Sequence, residues 1–177
     1  MSNNSKLQPD FSTKVPDGDD RERDVCGHCG FIDYRNPKIV VGSVVLWKNK
    51  ILLCRRAIEP RRGYWTLPAG YLELGESAED GARREAYEEA RARITLDRLL
   101  AVYSVPRISQ VQLMFRAALD APEISAGPES AAVGLFDWSE IPWGDIAFPT
   151  VGWALRHWRE TKDTDDFAPF SNPEDGL

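Results

Sequence analysis

Between Gly70 and Glu89 the chain reads GYLELGESAEDGARREAYEE, which spaces Gly70, Glu76, Arg84, Glu85, Glu88 and Glu89 as a divalent-metal site acting on a diphosphate would require. On a helix, Glu85, Glu88 and Glu89 stand at i, i+3 and i+4, so three carboxylates share one face. Like charges on adjacent turns repel by roughly 0.2–0.5 kcal/mol per pair in water and by more when partly buried. A cation is therefore expected among them. Hard oxygen ligands with no His or Cys beside them favour Mg²⁺ or Mn²⁺ over zinc, and an incomplete protein cage leaves positions for water and for substrate phosphates.

A helix from about Ala78 to about Arg91 must carry these groups. Ser77 is its expected N-cap, with Asp80 three residues on as an acidic variant of the capping box. Ala78, Ala82, Ala86 and Ala90 form a second stripe whose small side chains let the helix lie close on a sheet. Lys38 to Trp47 and Ile51 to Arg56 read as strands joined by a hairpin at Lys48-Asn49-Lys50. Further strands are expected over Ile94 to Ser104, Val111 to Leu119 and Ala131 to Trp138. In the second of these, Val111, Leu113 and Phe115 alternate with the polar Gln112 and Arg116. An amphipathic helix is expected over Val151 to Arg159. The loop AIEPRRG sets Arg61 and Arg62 just before Tyr64, where they are placed to meet substrate phosphates. Tyr64, Trp65, Phe31 and Tyr34 are candidate stacking surfaces, although a Trp beside an apolar turn more often packs in a core.

The pattern G-x5-E-x7-R-E-A-x-E-E, preceded by Trp65-Thr66-Leu67-Pro68-Ala69, resembles the Nudix box of the Nudix hydrolases. These enzymes split a nucleoside diphosphate linked to another group. The glycine, the arginine and the four glutamates of this pattern would match at set spacing by chance on the order of once in 10⁷ to 10⁸ start positions, too rarely for an ordinary acidic helix to be preferred. The resemblance implies a mixed α/β fold, the Nudix α-β-α sandwich. It also implies Glu85, Glu88 and Glu89 as metal ligands, with the backbone carbonyl of Ala69 or Gly70 beside them. Arg84 would orient the neighbouring carboxylate, and Glu76 would support the site. Glu129, in Gly127-Pro128-Glu129-Ser130 ahead of a strand, is the favoured general base, with Glu85 next. Gln110 is a candidate for holding a nucleotide ring or ribose. One position departs from the pattern: Arg91 stands where the box carries a glycine, so the helix is expected to continue or to end without the left-handed turn that glycine allows.

Composition sets the frame for these residues. A chain of 177 residues, 42% hydrophobic, is long enough for one domain with a substantial core. No apolar run reaches the roughly 18 residues of a membrane span, and MSNNSKLQPD has no basic-then-apolar leader pattern, so a cytoplasmic protein is expected. A net charge of −6 argues against a nucleic-acid or membrane surface as the main partner. A small nucleotide is the expected partner. Family members are often dimers, and the sequence leaves open whether this chain forms a homodimer.

Four stretches are expected along the chain. A loose polar arm over 1–20 precedes a small lobe over 21–37 built around Cys26-Gly-His-Cys29. The catalytic domain spans 38–162, and a disordered acidic tail fills 163–177. The cysteine pair resembles one knuckle of the zinc ribbon that begins some Nudix proteins, but the second pair is missing. Four ligands are the rule for structural zinc, so zinc is not expected and the lobe reads as a degenerate ribbon. Cys54, in an apolar run, reads as a buried small hydrophobe.

Beyond the box, VCGHCGFIDYRNPKIVVG, LLCRRAIEPRRGYWTLPAGYLELGES, GPES and IPWGDIAF resemble a subgroup of FAD and ADP-ribose pyrophosphatases. This resemblance implies Mg²⁺-dependent hydrolysis of ADP-ribose or FAD to AMP plus ribose 5-phosphate or FMN. NADH ranks lower, because the SQPWPFP-type signature of NADH pyrophosphatases is absent. A rival reading is a regulatory module that senses a nucleotide without cleaving it. Such modules usually lose box carboxylates, and all are present here.

Overall fold

The computed structural model describes residues 10–174. The chain divides into two compact units, residues 1–36 and 37–177.

In the first unit, β1 (Phe11–Lys14) pairs antiparallel with β2 (Arg23–Cys26), which pairs in turn with β3 (Ile32–Asp33). Val25 is the buried apolar residue of this small sheet. Charged contacts do much of the local tying: Arg23 meets Asp19 at 2.9 Å, and Thr13 donates to Asp24 at 2.8 Å. Of the arm expected over 1–20, residues 1–9 lie outside the described residues. The rest is not loose, because β1 supplies an edge of the sheet.

The second unit is built on a mixed sheet. Strands β4 (Lys38–Trp47), β5 (Lys50–Arg56), β6 (Trp65–Thr66), β7 (Ala69–Tyr71), β8 (Ile94–Val105), β9 (Gln110–Leu119) and β10 (Ser130–Phe136) assemble in the order β10-β5-β4-β9-β8, with β6 added to β5 and β7 to β4. β4 and β9 run parallel, and the other pairs are antiparallel. Helix α1 (Ala78–Ala90) and helix α2 (Pro149–Thr161) cover the two faces. Alternation along the strands sorts the core between them. Val45, Leu52, Cys54 and Ala117 cluster with Ala86 and Ala90 of α1, whereas Val44, Ile51, Leu53 and Met114 cluster with Val151, Ala154, Leu155 and Trp158 of α2. This is the α-β-α sandwich with a mixed sheet that the resemblance implied. None of the helices among the described residues is long and apolar enough to cross a membrane.

The second face corrects two expectations. Arg116, expected on a polar strand face, is buried. Its guanidinium contacts Asp97 and donates to the carbonyls of Thr161 at 2.7 Å and Thr164 at 2.8 Å, so the charge is satisfied under the chain that leaves α2. The tail expected to be disordered over 163–177 is held against β8 at Phe170 and Asn172, its last three residues being outside the described set. Phe170 donates to Leu100 O and accepts from Val102, both at 2.9 Å, and the Asn172 amide bonds both backbone groups of Ser104. Acidic composition suggested disorder, but Phe167 and Phe170 join the apolar cluster and pin the segment.

Phe170 stacks on the buried His157 at 4.1 Å between ring centroids, and His157 Nδ1 lies 2.7 Å from the Tyr103 hydroxyl. Burial lowers the His157 pKa below its ordinary value, against the raising effect of Glu160 and with the help of Arg156. A folded-state value below the unfolded one leaves stability intact above the unfolded pKa and removes it as pH falls through the folded one. Thermal melting should therefore drop as pH falls below the ordinary histidine range, and His157→Gln should flatten that part of the profile. An unchanged slope in the variant would clear His157 of this role.

Candidate active site

Helix α1 starts as the sequence suggested: the Ser77 hydroxyl accepts from Asp80 N at 3.1 Å and holds the first turn. The helix ends differently from expectation. Arg91 adopts the left-handed conformation, φ 52°, and its N–H reaches Ala86 O and Tyr87 O, so the turn that glycine would favour is kept without the glycine. The strain of a side chain there is about 1 kcal/mol, small against the cap bonds and packing around it.

The carboxylate face of α1 lies beside β7, which hangs on β4 through the Val41–Gly70 and Gly42–Ala69 pairs. Both glycines are needed for closeness. A Cβ on Gly42 would stand 2.4 Å from the Ala69 Cβ, and one on Gly70 would stand 2.4 Å from a Glu85 carboxylate oxygen. The Glu85 carboxylate thus rests directly on the Gly70 backbone.

Arg84 organises the acidic groups. Its guanidinium donates to both oxygens of Glu76 at 2.7 and 3.0 Å, to Glu85 Oε1 at 2.7 Å, to Glu88 Oε2 at 3.0 Å and to the Tyr71 carbonyl at 2.9 Å. Arg84 and the Glu73 amide hold the Glu76 carboxyl down to about 2, and the bonds to Glu76, Glu85 and Glu88 raise the Arg84 pKa. Glu76 therefore ties the loop before the helix to the guanidinium.

Glu89 is placed otherwise. It is buried, and its Oε2 has no hydrogen-bond partner in the structure. Burial, then the charge of Glu85, pushes its pKa up to about 8, with Arg56 pulling the other way and Glu129 adding to the rise. Burial also raises Glu85, opposed by Arg84. Among the described residues, no three of these side chains converge as they stand on a common point suited to a metal. Arg84 draws Glu85 and Glu88 toward itself, while Glu89 points inward. A buried carboxylate oxygen without a donor and an excess of hard oxygen ligands nonetheless fit a divalent cation of the magnesium type.

Glu129 comes to the same place from another element. It is exposed in the loop before β10, its carbonyl accepts from Ala57 N at 2.8 Å, and its charge acts on both Glu85 and Glu89. The loop is fixed from below, since Ser125 N donates to Ala90 O at 3.0 Å and Gly127 N to Glu89 O at 2.9 Å. These bonds satisfy carbonyls that the end of α1 leaves open.

The remaining candidates separate. Arg61 is exposed and stacks over the Tyr64 ring at 5.1 Å, and Arg62 is exposed beside it. Gln110 donates to the Tyr71 hydroxyl at 3.2 Å, and Lys38 sits over the same ring at 5.0 Å, so Gln110 belongs to a patch next to the acidic face. Trp65 packs edge-to-face with Phe136 at 4.9 Å in the apolar cluster. Phe31 and Tyr34 are exposed on the N-terminal unit. Tyr71 and Arg56 were missed from sequence. Tyr71 follows Gly70 directly, and Arg56 ends β5, five residues before the loop arginine Arg61. Arg56 donates to Pro60 O at 2.7 Å and lies over the Phe148 ring.

A family model described as the NUDIX domain matches residues 36–153, and one described as Nudix N-terminal matches residues 9–35. A NUDIX hydrolase of known structure from Nitrosomonas europaea is 44% identical, covers 94% of this chain and 96% of its own, and superposes with a TM-score of 0.87. A protein of Methanocaldococcus jannaschii named ADP-ribose pyrophosphatase is 32% identical over 113 residues, 62% of this chain and 67% of that one. A protein of Photorhabdus laumondii named NAD-capped RNA hydrolase NudC is 30% identical over 67% of this chain, and the match spans 46% of its own length.

Proposed function

The chain belongs to the Nudix hydrolase family, and from that premise we propose that it cleaves the diphosphate bond of ADP-ribose or FAD, releasing AMP with ribose 5-phosphate or FMN. The observation that carries this reading is the buried Glu89 oxygen without a donor, on a helix face where Arg84 already gathers Glu76, Glu85 and Glu88. The likeness to the archaeal protein named ADP-ribose pyrophosphatase supports the choice of substrate class.

Glu85, Glu88 and Glu89, with the backbone carbonyl of Ala69 or Gly70, are the residues that would hold Mg²⁺ or Mn²⁺. Such an ion supplies neutralisation of the diphosphate and acidity for a bound water. Arg84 holds Glu76, Glu85 and Glu88 beside one another on the helix face. Glu129, exposed and set on a braced loop, takes the proton of the attacking water as its oxygen bonds to phosphorus and the bridging oxygen leaves. Glu85 is less suited to that task because Arg84 already engages it. Arg61, Arg62, Tyr64 and Gln110 are assigned to substrate phosphates, base and ribose, with Tyr71 added from its place beside Gln110.

Incubation with Mg²⁺ and a panel of ADP-ribose, FAD and NADH should release AMP from the first two fastest, and a chelator should stop it. Tight binding of ADP-ribose with no AMP would select the nucleotide-sensing reading instead. Fastest release from NADH would overturn the ranking of substrates.

A further inference from the structure

The N-terminal unit has a ribbon's shape with half of a ribbon's ligands. Its matched family is a zinc-ribbon type, and its sequence through Asn36 holds two cysteines, Cys26 and Cys29, with one histidine, His28, between them. Structural zinc takes four ligands, and among the described residues no group of three possible ligands converges. The turn is nevertheless held by its own backbone. Cys26 N donates to Phe31 O at 2.8 Å, Gly30 N to Cys26 O at 2.9 Å and Gly27 N to Asp10 O at 2.7 Å. The bond from Gly30 back to Cys26 closes one tight turn, which keeps residues three apart on the same side.

Both thiols are free and accessible: Cys26 is partly exposed and Cys29 is exposed. The groups that bear on the Cys26 sulfur are the amides of Cys29 and His28 and the Cys29 thiol. Together these draw the Cys26 thiol below its ordinary range, although Asp10 and partial desolvation oppose them. Donors aimed at one sulfur stabilise its thiolate, and a second thiol in reach is what a resolving cysteine must be.

We propose that Cys26 and Cys29 form a reversible redox dithiol that exchanges with small disulfides of the glutathione type. The Cys26 thiolate attacks one sulfur of the oxidised glutathione, whose S–S bond breaks and whose other half leaves as a thiolate that takes up a proton. Cys29 then loses its proton to solvent and attacks the Cys26 sulfur, expelling the second glutathione thiolate. Two protein thiols are oxidised, and one small disulfide is reduced. Cys54 is excluded from this chemistry by burial, which pushes its thiol well above the ordinary range.

The test uses the full chain. It is equilibrated with excess oxidised glutathione at neutral pH, alkylated and cut with trypsin, so that Cys26 and Cys29 fall together in the fragment between Arg23 and Arg35. The expected fragment is lighter by two hydrogens, escapes alkylation, and returns to the dithiol with reduced glutathione. Cys29→Ser should hold one glutathione on Cys26, whereas Cys26→Ser should react much more slowly. Full alkylation of the fragment after oxidant, disulfides only between copies, or purified protein with zinc bound at the pair would each overturn the assignment.

Discussion

Glu89→Gln should lose activity by roughly 10²–10³-fold in kcat/KM while the metal-free protein becomes more stable. The two effects have one origin. Glu89 is buried with one oxygen unbonded, and its folded pKa of about 8 lies far above the ordinary value of 4.5. Between those values the native state binds more protons than the unfolded one, so stability is full below the lower value and lost as pH rises through the upper. With a chelator present, the wild type should lose on the order of a few kcal/mol across that window, and the Gln variant should not. The gap in melting temperature between them should be small near pH 4.5, widen up to about pH 8 and level off above it. Adding Mg²⁺ should stabilise the wild type and leave the variant nearly unmoved. Melting curves with and without chelator, alongside steady-state kinetics, check both halves. A Gln variant that turns over normally would remove Glu89 from the proposed metal set.

Gly127→Ala should both destabilise the fold and slow the reaction, although the residue carries no chemistry. A Cβ there would stand 1.6 Å from Glu88 O, a backbone atom that cannot step aside as a side chain can. Relief requires the loop to lift from the end of α1, breaking the Gly127 N to Glu89 O bond and moving Glu129. Overpacking of this kind costs about 1–3 kcal/mol, or roughly 3–10 °C in Tm for a chain of this size. A displacement of Glu129 by about 1 Å should cost up to about 10²-fold in kcat with less change in KM. Gly144→Ala is the matched control, since a Cβ there meets nothing within 4 Å, and its Tm and kcat should stay at wild-type values. If Gly127→Ala slowed turnover no more than Gly144→Ala, the loop would not be positioning the base.

Much of this was legible in the residues. Ser77 followed by Asp80 marked the start of α1, because a side-chain cap acts within one turn and needs no tertiary partner. The aliphatic runs of β4 and β5, and the alternation in β9, marked strands because β-branched and apolar side chains suit a pleated sheet and side chains on a strand divide between its two faces. Other features depended on neighbours remote in sequence. Arg116 read as a surface residue until the carbonyls of Thr161 and Thr164 closed over it. The acidic tail read as disordered because composition counts charges and does not register that Phe170 has His157 to stack on. Arg91 kept a glycine's conformation because the helix end around it is held by the loop at Ser125 and Gly127.

The spacing of Glu85, Glu88 and Glu89 by itself determined that three acids share a helix face, since helical geometry maps sequence distance directly onto angle. The full pattern from Gly70 to Glu89 also carried the family and, through the family, the α-β-α sandwich. Only the tertiary structure decided which of those acids is buried and left without a donor, that Arg84 binds Glu76 across eight residues, and that Glu129 arrives from a loop forty residues beyond Glu89. Charge and spacing are local properties that a sequence states outright. Desolvation depends on what the rest of the chain stacks above each group, and that is settled only when the sheet and its loops close.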